Sequence, residues 1–359
     1  MDAVHSVKTL LNGLKSYVDR SKGCRRKKPI GVQRLRGQTN RNGGCMKSGF
    51  LLVVLLAGAI AFAQETSNAA SSRYENQNPR SQDPPMLGIH WAKGVTPPAS
   101  PDARVVTNAR RTANMTYHGG VIMPTANTYS IFWGTTWGGY SGDKMSGIDS
   151  YYAGFINSNY AKTSDEYTGS NGQVGAGGTS HNHVVDTSAS AGGNNTTTIL
   201  NEVCKEITNG ALPLDGTGNG YYAVYADKKR GSAGYCAWHS SGSCNGKRIE
   251  FAYFFNLDGD AGCDPQDTQT GHSQGLAAIA NVSGHELSEA RSDPASPGAW
   301  YDSSGAENGD KCAWTFNVAH VTFSNGTIWK IQGEWSNAAY TAGTGYPNSS
   351  GQKGCLDGH

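Results

Sequence analysis

Charge is scarce in this chain: only 16% of its 359 residues are Asp, Glu, Lys or Arg. No apolar run approaches the roughly 20 residues that a membrane-spanning helix needs. Cysteines occur but never as Cys-x-x-Cys, so the ligand spacing of Cys-rich zinc sites is missing. No internal repeat is evident, which argues against arrays and solenoids. Ser283-Gly284-His285 lacks the Gly-x-Ser-x-Gly elbow of serine hydrolases. Gly271-His272-Ser273-Gln274-Gly275 fits that string without directly following a clear strand, which disfavours the class.

What is plentiful is glycine, 48 residues, nearly double ordinary usage. Met46-Lys47-Ser48-Gly49, the apolar run Phe50 to Phe62, and Ala61-Phe62-Ala63 before Gln64 have the charged start, greasy middle and small-residue exit of a secretory signal. Residues 46–63 are therefore expected to be a signal peptide, and 1–45 a basic extension ahead of it. Residues 1–63 carry 12 of the 30 basic and 2 of the 28 acidic side chains, which leaves 18 basic and 26 acidic in 64–359, a net of −8. An acidic mature chain disfavours nucleic acid as a partner. Six cysteines follow the signal, Cys204, Cys236, Cys244, Cys263, Cys312 and Cys355. An even number in an exported chain implies disulfides, in a pairing that spacing leaves open.

Residues 64–115, rich in Ser, Asn, Pro, Gln and Ala, read as a low-complexity linker or propeptide. Residues 116–359 are long enough for one globular domain. Within it, Thr128–Trp133, Tyr221–Tyr225, Ile249–Phe255 and Thr327–Gln332 read as strands. Met145–Tyr160, Thr196–Ile207 and Gly271–Arg291 show helical spacing, with Asp293-Pro294 closing the last. The stretch 168–195 reads as a loop. This order lacks a strict βαβ rhythm and predicts an α+β or mixed α/β domain.

The chemistry centres on His285-Glu286-Leu287-Ser288-Glu289. His285 and Glu289, four apart, share one helix face. Zinc proteases place two ligands at that spacing, with the Glu after the first His as general base; here Glu289 stands where their second His would be. The reading gives Glu286 the catalytic role and His285, Glu289, Glu307 and Asp310 the metal, zinc first and calcium second. A solvated helix end is the competing reading. His239, His181, His183 and His272 read as structural or solvated. Asp258, Asp260 and Asp264 could hold calcium or form an ordinary turn. The many Trp and Tyr could stack on sugars or anchor the core.

Gly284-His285-Glu286-Leu287-Ser288-Glu289, Asp293-Pro294, Ala299-Trp300-Tyr301, Glu307, Gly309-Asp310-Lys311-Cys312, Tyr117-His118-Gly119-Gly120 and Tyr235-Cys236-Ala237-Trp238-His239 together resemble the phosphate-induced protein 1, or EXORDIUM-like, family of secreted proteins. The signal and linker point to a bacterial-type member. The resemblance implies an extracellular domain with a zincin-like motif helix on a mixed sheet, and it carries His285, Glu286 and Glu289 over as site residues. The expected function is a secreted, peptidase-like metal-dependent hydrolase acting on extracellular peptide. The alternative is a non-catalytic protein binding cell-wall or matrix polysaccharide.

Overall fold

The computed structural model describes residues 83–97, 113–295 and 298–359. The expected basic extension and signal peptide lie outside the described residues, as does most of the expected linker. All the described residues fall in one compact unit.

The main elements, in chain order, are β1 (Ile89–Trp91), β2 (Ala126–Trp133), α1 (Lys144–Phe155), β3 (Gly178–Ser180), β4 (Val184–Asp186), α2 (Thr196–Thr208), β5 (Gly220–Lys229), β6 (Tyr235–Cys244), β7 (Lys247–Asn256) and α3 (Gln274–Ser292). The strands form one mixed sheet in the order β1-β6-β7-β5-β2-β3, with β4 also on β2. β2, β3, β4, β5 and β7 are parallel, and β6 runs against β7 and β1. The expected α+β architecture with a mixed sheet is what the chain adopts.

The three middle strands read as near-continuous apolar runs because both faces are covered. Tyr221 to Ala226 of β5 and Ile249 to Phe255 of β7 are all buried. α3 is a helix by composition, with Leu276, Ala277, Ala278, Ile279 and Ala280 in its first turns. The Ser273 hydroxyl caps it by accepting from the Leu276 N–H at 3.1 Å. Every residue from Gly275 to Ser292 is buried, so α3 is enclosed all round and not amphipathic. Charged side chains on its second half are therefore surrounded by protein.

Several expectations need correcting. The loop expected over 168–195 contains β3 and β4, each three residues long and too short to show strand periodicity. The helix expected over Met145–Tyr160 ends at Phe155, because Asn157 takes a left-handed φ of 59° and Ser158 caps a new turn at Asn159–Lys162. The strand expected over Thr327–Gln332 shrinks to Ile328–Trp329; Gln332 instead gives its N–H to the Asn281 side chain at 2.8 Å. β6 has no counterpart among the expected strands, since its Ser, Gly and Cys content hides the pattern. Most consequentially, residues expected to be linker include β1, and Met86, Leu87, Ile89 and His90 are buried.

The disulfides pair Cys204 with Cys244, Cys236 with Cys263, and Cys312 with Cys355. Such bonds fit an oxidising compartment. No helix among the described residues is long and apolar enough to cross a membrane. The Cys312–Cys355 bond anchors the loop that follows α3 to the strand Lys353–Leu356. Replacing both cysteines with Ser is expected to cost about 2–5 kcal/mol, read as a lower urea midpoint under non-reducing conditions; an unchanged midpoint would show that packing alone holds the loop.

Candidate metal centre

His285 and Glu289 lie one turn apart on α3, and the His285 Nε2 to Glu289 Oε1 distance is 3.1 Å. β6 lies beside this part of the helix and brings His239, whose Nε2 is 3.8 Å from Glu289 Oε2 and 3.4 Å from Glu307 Oε2. The loop after α3 returns across the helix and places Asp310 Oδ1 3.8 Å from His285 Nε2. That return depends on Gly309, where a β-carbon would lie 2.8 Å from His285 Nδ1. The Asp310 N–H then donates to Glu289 Oε1 at 2.9 Å, and the Glu307 N–H to Asp310 Oδ2 at 3.2 Å.

The predicted residues His285, Glu289, Glu307 and Asp310 thus meet at one place, beside Glu286. Two overlapping triads have potential ligand atoms within 4.8 Å of one another: His239, Glu286 and Glu289, and His285, Glu289 and Asp310. The sequence reading missed His239, which it took as a structural histidine. The segment Tyr235–His239 belongs to the resemblance but gives His239 no ligand role; His239 reaches the site because β6 pairs with β7 at Ala252↔His239 and faces α3. Gln332 was missed too. Its Nε2 donates to the Gly309 carbonyl at 2.9 Å and lies 3.0 Å from His285 Nδ1, which fixes the ring so that Nε2 faces Glu289.

Burial dominates the electrostatics. It holds His285 and His239 down to about 3, with the neighbouring His285 adding to the effect on His239. It pushes Glu289 up to about 8, against the Asp310 N–H bond that favours the charged form. Glu286 is pushed well up by burial and then by Glu289 and Asp310, and Asp310 by burial and Glu289. Each group is driven towards its neutral form; a divalent cation would bring the raised carboxylates back down and keep both imidazoles neutral.

The donor set fits such an ion. Each triad offers one imidazole and two carboxylates, a three-ligand set of the donor types that catalytic zinc sites use, and Glu289 belongs to both. His239 Nε2, His285 Nε2, Glu286 Oε2 and Glu289 Oε2 are buried without a hydrogen-bond partner, a state that over 90% of buried polar groups avoid. Their concentration at one point is the mark of a site built for a ligand.

Other histidines and acids weighed in the sequence have partners within the chain. His183 Nδ1 pairs with Asp149 at 2.7 Å, His181 stacks on Tyr129, and His272 stacks on Trp329 with Nε2 3.0 Å from the Ile328 carbonyl. Asp258 binds Lys144 at 2.7 Å and Asp260 binds Arg230 at 2.7 Å, so those acids already face cations of the protein. The Asp186, Glu202 and Glu206 cluster is filled by the Lys205 ammonium. Comparison with protein-family models, with curated proteins and with solved structures finds no match to this chain.

Proposed function

We propose that the chain is a secreted metal-dependent hydrolase of peptidase-like type, with zinc as the ion and His239, His285 and Glu289 as its ligands. The observation that carries the reading is a pair of buried triads that share Glu289, one with His239 and Glu286 and the other with His285 and Asp310. The signal expected over 46–63 and the three disulfides support export. The EXORDIUM-like resemblance supports an extracellular setting, with this chain as a bacterial-type member.

When bound, such an ion supplies Lewis acidity towards water and a carbonyl. Glu286, with its proton affinity raised by burial, is suited to take a proton from water and return it to a leaving amine. Glu307 and Asp310 add negative charge beside the ligands and strengthen their preference for a cation. Zinc is preferred to calcium because two imidazoles belong to the set, and calcium takes oxygen ligands.

Dialysed protein is expected to keep about one equivalent of zinc. His239→Ala should lower zinc affinity at least about a hundredfold, while His272→Ala, outside the site, leaves it unchanged. Protein that holds no zinc, and gains no thermal stability from added zinc or calcium, would sink the reading. One surface feature favours the second reading, polysaccharide binding without catalysis. Tyr117 is exposed, with its ring 5.5 Å from that of Trp300, a pair on which a sugar ring could stack.

A further inference from the structure

We propose that residues 83–92 occupy the substrate groove of this centre as a built-in pseudosubstrate. On this view the groove takes an extended polypeptide added as a strand to the edge of β6, and the full-length chain keeps that groove filled. The proposal rests on the metal-hydrolase reading for what the groove serves.

The pairing is made at the site itself. The Leu87 N–H donates to the His239 carbonyl at 2.9 Å, and the His239 N–H to the Gly88 carbonyl at 3.2 Å. Ile89 then faces Trp238, and His90 faces Ala237, antiparallel. Backbone donors of a strand alternate sides, so Gly88 and His90 present their N–H groups away from β6. An edge strand ordinarily gives such donors to water. Here the Gly88 N–H donates to Glu307 Oε1 at 3.2 Å, and the His90 N–H to Glu286 Oε1 at 3.2 Å. The main chain of residues 88–90 therefore crosses the acids of the centre, in contact with the residue assigned as general base.

Two side-chain features tighten the fit. A β-carbon at Gly88 would collide with Glu289 Oε2 and lie 2.5 Å from His239 Nε2, so only glycine permits this approach. The His90 ring packs edge-on against His285 with centroids 4.1 Å apart, and its Nε2 is 2.9 Å from Gln332 Oε1. Strand addition of this kind draws affinity from main-chain bonds and selectivity from alternate side chains. The preferred substrate is thus an extended peptide with a small residue where Gly88 sits. The segment is the edge strand of the sheet, so the β6–β7 pairing does not depend on it, while Met86, Ile89 and Ala92 seat it in the core.

The test uses the full chain carrying Glu286→Gln, which keeps a bound peptide intact, with a site-specific protease sequence inserted between Ala103 and Arg110. The probe is a fluorescent peptide with the sequence of residues 83–93, followed by polarisation. The uncut chain should not bind it. The cut chain should release its own segment and bind the probe, and an unlabelled peptide carrying Gly88→Ala should compete at least about tenfold less well. In the uncut chain, Gly88→Ala should by itself admit the probe. The proposal is overturned if the cut segment leaves only at the urea concentration that unfolds the domain, or if cutting does not increase probe binding. Because binding is read without turnover, failure of the hydrolase reading shows separately, as probe binding by a cut wild-type chain that holds no zinc and cleaves nothing.

Discussion

Glu286→Gln is expected to lower turnover by about 10²–10⁴-fold while the metal stays bound. Gln has the shape of Glu and keeps an oxygen to accept the His90 N–H, now at 3.2 Å. What it loses is the capacity to take up a proton. Glu286 is suited to that task because burial, and then Glu289 and Asp310, raise its proton affinity, and an efficient base has a pKa near the working pH. The measurement is kcat on an extended peptide, made on chain cut between residues 98 and 112, together with zinc content. Loss of zinc in parallel with activity would make Glu286 a ligand. Undiminished turnover would remove it from the chemistry.

Arg291→Leu is expected to destabilise the domain by about 3–5 kcal/mol, the cost of stripping one partner from a buried charged network. Arg291 is fully buried. Its guanidinium donates to the Ala161 carbonyl at 2.9 Å and the Gly175 carbonyl at 2.8 Å, and lies over the Phe155 ring. Burial lowers its pKa only to about 10, so it remains charged at neutral pH. It also moderates Glu334, a buried acid whose pKa is pushed well up by burial and which accepts the Tyr160 hydroxyl at 2.6 Å. Leu fills much of the volume but leaves both carbonyls without these donors and Glu334 without that charge. A shift below about 1 kcal/mol in urea denaturation would mean that water or repacking replaces the guanidinium.

The Arg291 and Glu286 predictions concern one helix seen from two sides, and the helix itself was legible. Its start at Gln274, behind the Ser273 cap, came from the structure; its helical spacing and Asp293-Pro294 stop are local signals, and local signals survive in a single sequence. So did β2, β5 and β7, whose Val, Ile, Tyr and Phe content follows from burial on both faces. β6 was not legible. Its Ser240, Ser241, Gly242 and Ser243 are tolerated because β7 pairs with all four, a property of the neighbour and not of the residues. β1 was hidden for the same reason: three residues in a Pro- and Ser-rich context become a strand only when an edge is there to receive them.

By itself, then, the sequence determined the α+β class, the motif helix, and the His285, Glu286 and Glu289 spacing, because helix periodicity acts over one or two turns. Only the tertiary structure decided which distant groups join them. Glu307 and Asp310 arrive through a loop that Gly309 allows close to the helix. His239 arrives through the pairing of β6, and the Gly88–His90 backbone through the pairing of β1. Those meetings are set by sheet register and by close packing across tens to hundreds of residues of chain, where no pattern along the sequence specifies the distance.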